Sequence, residues 1–154
     1  HAKRLLKAIG ENIHRFEVAH GEIKDTEQSK IMVVVDDEND ILELLQSEIT
    51  DYDETFNIKT FHDGLSALQF IKQNKCDILI TDIAMPDMDG YELYSRVKEL
   101  RPALPIIMMT GFGYDPNHIV VNAKKAGLKD VIFKPFDINR LMTMIYQRLS
   151  EVQV

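Results

Sequence analysis

One cysteine, Cys76, is the only thiol in this 154-residue chain. A lone cysteine cannot close an internal disulfide, which fits a reducing, cytoplasmic setting. At a strand entrance it reads as a small, half-buried packing residue. Long apolar runs are missing too: the longest are only strand length, too short for a membrane span. No pattern of basic, apolar and small residues opens the chain as a secretory leader would. Positive charge is in deficit, with 18 Lys and Arg against 25 Asp and Glu and a net charge of -7. Neither a global basic field nor a sharp Lys/Arg cluster invites nucleic acid or an anionic membrane. His1 stands where a Met is expected, so the chain reads as an excerpt or as one left by cleavage of a tag.

What is present suits a single globular domain with an appendage. Hydrophobic content is 45% and charged content 28%, both ordinary for a folded protein. Residues 1–24 read as a connector helix, with Leu6, Ile9, Ile13 and Phe16 spaced along one seam and Ile23 in register. Residues 25–30 read as a linker, and 31–151 as the main domain.

Ile31-Met32-Val33-Val34-Val35 is a continuous apolar run, the mark of a strand buried on both faces. Helical spacing of Ile41, Leu42, Leu44, Leu45 and Ile49 follows, to about Thr50. Phe56–Phe61 alternates as a second strand. A helix opens at Asp63-Gly64, then a third strand runs from Asp77 to Thr81. Asp89 predicts an N-cap, with Glu92 completing a capping box, on a helix that stops before Pro102. Pro105–Met109 is strand four. Asp115-Pro116 starts another helix that Gly127 stops, Val131–Phe133 is strand five, and Asp137 caps the last helix. Five strands alternating with five helices demand parallel pairing through right-handed crossovers, hence a doubly wound α/β sheet.

Ligands bind such sheets at the carboxyl ends of the strands. Those ends carry Asp36 and Asp37, Asp82, Thr110 and Lys134, which should converge on one rim, with the Asp82 carboxylate facing solvent. Singly, each reads as an ordinary cap or turn residue; at successive strand ends of one sheet they read as a site. Clustered carboxylates repel, and a hard divalent cation such as Mg²⁺, which prefers oxygen ligands and phosphate, relieves them. Lys134 adds a positive charge and Thr110 a hydroxyl donor, a set suited to a phosphoryl group. A carboxylate can itself be the nucleophile, and the central Asp82 is the candidate.

With those residues in view, the chain from Ile31 to about Glu151 resembles the receiver domains of response regulators in two-component signalling. The matching stretches are Val35-Asp36-Asp37-Glu38, Thr81-Asp82-Ile83-Ala84-Met85-Pro86 with Asp89-Gly90, Met109-Thr110-Gly111, and Phe133-Lys134-Pro135-Phe136. The resemblance implies a flavodoxin-like five-stranded sheet of order 2-1-3-4-5, here with an N-terminal helical extension. It implies that Asp82 accepts a phosphoryl group from a phosphohistidine, the partner being a sensor histidine kinase or phosphotransfer protein. Asp37 and Asp82 would hold Mg²⁺ through side chains, Asp36 largely through water and Ala84 through its carbonyl. Thr110 and Lys134 would bind phosphoryl oxygens, with Ala84 and Gly111 as cofactor-binding positions, and Lys134-Pro135 would be cis.

The sequence departs from that family in places. The aromatic usual three residues before the lysine is Val131 here; Phe133 shares its face and is the candidate substitute, its ordinary alternative being a core position. Phe112 and Ala84 cannot orient a hydrolytic water, which predicts a long-lived phosphorylated state. The segment from Gly111 to His118 resembles receivers appended to hybrid sensor histidine kinases. His118 reads as a solvated first-turn residue, and neither His14 nor His20 as a phosphohistidine. Two other functions compete. A haloacid-dehalogenase-type phosphatase wants an acid where Ala84 stands, and a non-phosphorylated pseudo-receiver usually lacks one of the five polar positions. With the last helix so near the end of the given sequence, no effector is expected to follow it, and output is expected through the face of the domain's fourth helix, fifth strand and fifth helix. Ile119, Val120 and Val121 there, or the N-terminal helix, are candidates for homodimer formation.

Overall fold

The computed structural model describes residues 29–111 and 130–153. The expected N-terminal connector helix and most of its linker lie outside the described residues. So do Phe112, His118 and the Asp115–Gly127 helix with Ile119, Val120 and Val121. Among the described residues nine elements run in order: β1 (Lys30–Val35), α1 (Asn39–Tyr52), β2 (Phe56–Phe61), α2 (Gly64–Gln73), β3 (Ile78–Asp82), α3 (Gly90–Leu100), β4 (Ile106–Thr110), β5 (Asp130–Phe133) and α4 (Ile138–Gln153). The strands form one all-parallel sheet of order β2-β1-β3-β4-β5. Among the described residues, no helix is long and apolar enough to cross a membrane.

Period-two alternation divides the core into two layers. Val33, Val35, Leu79 and Met108 face α2 and α3, meeting Ala67, Leu68, Ile71, Leu93 and Val97. Met32, Val34, Ile78, Ile80, Ile107 and Met109 face α1 and α4, meeting Leu42, Leu45, Ile49, Leu141 and Ile145. Both faces of β1 are therefore dry, which is why its sequence is apolar without interruption. Cys76 lies just before β3 and is buried, its thiol 3.4 Å from the Ile78 carbonyl. Burial pushes that thiol up to about 11, the environment of an inert packing residue.

Element boundaries move by a residue or two from the sequence expectation. Lys30 belongs to β1, opposite Phe56, so the expected linker ends at Ser29. Asp77 is not a β3 residue; its carboxylate accepts the Ile31 N–H at 2.7 Å and its own N–H donates to the Ile31 carbonyl. Pro105 precedes β4. As a result Asp82 and Thr110 are the last residues of their strands, where their side chains inherit the sheet's register. Asp89 does cap α3 by accepting the Glu92 N–H. Glu92, however, turns to Arg96 one turn on instead of closing the capping box.

The loop from β3 to α3 is tight. Gly90 donates its N–H to the Ile83 carbonyl, and a Cβ there would lie 2.5 Å from the Asp82 carbonyl oxygen and 2.8 Å from the Ile83 Cα. Both obstacles are backbone. Asp87 sits at φ 67°, a left-handed conformation that Asp tolerates and β-branched residues do not. Gly90→Ala is expected to cost about 1–3 kcal/mol, and Asp87→Val about 1–2 kcal/mol. Asp87→Asn should be near neutral. Urea unfolding of the three variants checks the order; an unchanged midpoint for Gly90→Ala contradicts the close approach.

Candidate functional site

The polar groups from four strands meet at the carboxyl rim. The Asp36 N–H donates to the Phe61 carbonyl at 3.1 Å, carrying the chain's pairing one residue past β1 and turning the Asp36 side chain inward. Asp36 is fully buried. One of its oxygens accepts the Glu38 N–H at 2.9 Å, and the other accepts Lys134 Nζ at 2.6 Å. Lys134 Nζ also lies 3.4 Å from Asp82 Oδ1. Asp37 is exposed, yet one carboxylate oxygen from each of Asp36, Asp37 and Asp82 lies within 4.8 Å of the others.

Thr110 is 1% exposed, and its hydroxyl has no partner among the described residues. Its carbonyl accepts the Lys134 N–H, which fixes where the lysine leaves β5. Gly111 lies against that side chain, a Cβ there falling 3.8 Å from Lys134 Cδ. The Lys134-Pro135 bond is cis. Ala84 is half-buried, two residues beyond Asp82.

One expectation is overturned. Asp82 does not face solvent; it is 5% exposed, its carbonyl roofed by Gly90 and its strand closed in by β1 and β4. Burial pushes its carboxyl up to about 6, helped by the negative charge of Asp36 and, less, of Asp37, and opposed by Lys134. Burial also works against the charge of Lys134, but the hydrogen bond and charge of Asp36, with Asp82 behind, outweigh it and hold the ammonium above its ordinary range. Phe133 is not a core residue either. It is 42% exposed and pairs with Thr110 at the rim end of an edge strand, whereas Val131 is half-buried against the sheet's packed face.

The donor set fits a hard divalent cation. Every available group is a carboxylate oxygen, three carboxylates face one ammonium, and their mutual repulsion already shows in Asp82. The orphaned Thr110 hydroxyl, at the end of the strand next to β3, and the Lys134 ammonium are two donors on the same rim, groups that can receive an anion's oxygens. Sequence reasoning missed the Glu38 N–H and the close approach of Gly90; the Asp36-Asp37-Glu38 and Asp89-Gly90 strings were the only signals for them.

Because the folded state raises the Asp82 pKa above the 3.8 of the free group, its stabilising contribution is complete below about pH 4 and is lost as pH rises through about 6. Above that range the ionised carboxylate is a liability. Asp82→Asn is therefore expected to stabilise the metal-free protein at pH 7.5 by about 2–3 kcal/mol, with the gain vanishing towards pH 4. Thermal unfolding in a chelator at the two pH values checks this; equal melting temperatures at pH 7.5 contradict it.

Residues 32–146 match the model of the response regulator receiver domain family. The chain is 30% identical over 125 residues to the regulatory protein VanRc of Enterococcus gallinarum, covering 81% of this chain and 52% of that protein. It is 32% identical over 126 residues to the DNA-binding transcriptional regulator NtrC of Escherichia coli, covering 82% and 26%. It thus spans about half or a quarter of the length of these curated relatives. Among solved structures, a CheY-like receiver domain protein from Methanospirillum hungatei superposes with a TM-score of 0.72 at 28% identity, covering 82% of this chain and 98% of that one. FixJ-N superposes at 0.69 with 34% identity, covering 80% and 95%. On fold, matched span and relatives together, the chain belongs to the response regulator receiver domain family of two-component systems.

Proposed function

We propose that this domain is a phosphoacceptor in a two-component phosphorelay, with Asp82 taking a phosphoryl group from the phosphohistidine of a sensor histidine kinase or phosphotransfer protein. The observation that carries this reading is the placement of Lys134 Nζ 2.6 Å from Asp36 and 3.4 Å from Asp82, on a rim where the buried Thr110 hydroxyl has no partner of its own among the described residues. An Asp82 oxygen attacks phosphorus, an O–P bond forms and the N–P bond breaks, and the imidazole leaves with the electron pair. Lys134 and Thr110 then hold phosphoryl oxygens. Mg²⁺, when bound, neutralises charge on the transferring group. Asp37 and Asp82 would hold it with their side chains and Ala84 with its carbonyl. Asp36, whose two oxygens are engaged by Lys134 and Glu38, suits contact through water.

The domain so read covers residues 31–151, with 1–24 as a connector, and its setting is cytoplasmic. Its role is regulatory, its chemistry confined to self-catalysed phosphotransfer and hydrolysis. Phe133, paired with Thr110, is the aromatic available to respond to movement of that hydroxyl.

Incubation with Mg²⁺ and radiolabelled phosphoramidate should label the wild type on Asp82 and leave Asp82→Asn unlabelled; label retained by Asp82→Asn overturns the assignment. Lys134→Ala should lower uptake by at least about tenfold, as loss of one preorganised charged donor does. Hydrolysis supplies a further check. With Ala84 and Phe112 unable to orient water, the phosphorylated wild type should outlast Phe112→Glu by at least about tenfold, the scale of a positioned base. Equal lifetimes would remove that part of the reading.

A further inference from the structure

The chain enters its sheet at one defined place. Lys30 opens β1 opposite Phe56, the first residue of β2, and neighbouring strands lie about 4.8 Å apart. Alternation with Met32 and Val34 puts Lys30 on the face that carries α1 and α4, where Phe56 is buried. Phe56 is also the floor of an aromatic platform at this amino edge of the sheet. The Tyr146 ring of α4 packs 6.1 Å from that of Phe56 and 6.5 Å from that of Tyr52, the last residue of α1. The Tyr146 hydroxyl donates to Asp53 Oδ2 at 2.6 Å, and Asp53 Oδ1 accepts the Thr55 N–H and hydroxyl at 3.0 and 2.6 Å. Pinned at its hydroxyl and against two other rings, Tyr146 is nonetheless 38% exposed. An aromatic ring already held in place gives up little freedom when something covers it.

The surroundings of the platform are negative. Asp51 and Glu54, both exposed, flank Tyr52 and Asp53 in the chain. The negative end of the α1 dipole falls here, with no basic residue in the last turn. No Lys or Arg occurs between Asp36 and Ile58. A segment that fits must bring apolar side chains for the rings and cations for the carboxylates and ring faces. The start of this chain has that composition. Residues 1–16 hold Lys3, Arg4, Lys7 and Arg15 against one acid, Glu11, together with the seam Leu6, Ile9, Ile13 and Phe16. Residues 17–29 can reach about 45 Å when extended, well beyond the length of α4, about 24 Å. Tethering also supplies an effective concentration on the order of millimolar, which no free partner matches at ordinary levels.

We propose that residues 1–16 dock on the chain's own platform of Tyr52, Phe56 and Tyr146, with the Leu6–Phe16 seam on the rings and the basic side chains against Asp51, Asp53 and Glu54. The seat lies at the amino edge of the sheet, opposite the carboxyl rim, so the docked segment leaves Asp82 uncovered. The inference stands apart from the phosphoacceptor reading.

The test uses the full isotope-labelled chain with a nitroxide on Asn12→Cys; the native Cys76 is buried and takes no label. Amide signals of residues 50–58 and 142–150 should broaden, while those of α2 and α3, on the other face of the sheet, keep their intensity. The pattern should persist when the labelled chain is diluted with unlabelled chain. Leu6→Ser/Ile9→Ser, which leaves the described domain untouched, should erase it and speed tryptic cleavage after Arg15 at least about tenfold. Asp51→Asn/Glu54→Gln should weaken the broadening and its salt dependence, whereas Glu92→Gln/Glu99→Gln, the same charge removed from α3, should leave both. Broadening that is absent or spread evenly over both faces overturns the proposal, as does cleavage after Arg15 at an equal rate in the seam variant. Loss of the pattern on dilution assigns the platform to a second copy and overturns it equally, and so does a pattern that both charge variants keep or lose alike.

Discussion

The ammonium of Lys134, shared between the carboxylates of Asp36 and Asp82, is the interaction on which the rim depends. Three carboxylates drawn together at strand ends would repel one another, and two of them are buried. A single lysine at the end of an edge strand offsets only part of that repulsion, and the remainder shows in the raised pKa of Asp82. The rim is built short of positive charge. That shortage suits the rim to a cation, and in the function proposed above the cation and Lys134 together would suit it to a phosphoryl anion.

The sheet supplies the geometry. Its order places β3 in the middle, with β1 on one side and β4 then β5 on the other, so residues widely separated in sequence arrive side by side. The roof over Asp82 is backbone, supplied by Gly90. A side chain in that position would need the helix to move, and with it the mouth of the site. The fold accepts a buried, partly compensated charge here, and the two dry layers on either face of the sheet carry the stability that permits it.

Much of this was legible in the sequence, for identifiable reasons. A both-sides-buried strand must be apolar throughout, so β1 announced itself. Polar residues that follow such runs have to fall at the strand ends, and Asp36, Asp37, Asp82, Thr110 and Lys134 do. What could not be read was how deep they sit. Asp82 was expected in solvent because a strand tip is usually wet, and nothing in its neighbours' identities says that Gly90 comes within contact of its carbonyl. Phe133 looked like core by composition but stands at the rim end of an edge strand, a distinction that depends on where β4 stops. Glu92 had two partners within reach, the Asp89 N–H and Arg96, and spacing alone could not choose between them.

Lys134 and Asp36 are 98 residues apart, nearly the whole span of the domain, and that separation orders events during folding. Asp36 and Asp82 come together as soon as β1 and β3 pair, yet their counter-ion is delivered only when β5, the outermost strand of the sheet, takes its place. Any intermediate lacking β5 holds its acids uncompensated, so it is penalised relative to both the open chain and the finished domain. The arrangement also makes assembly more nearly all-or-none, and the full set of rim groups comes together only on a completed sheet.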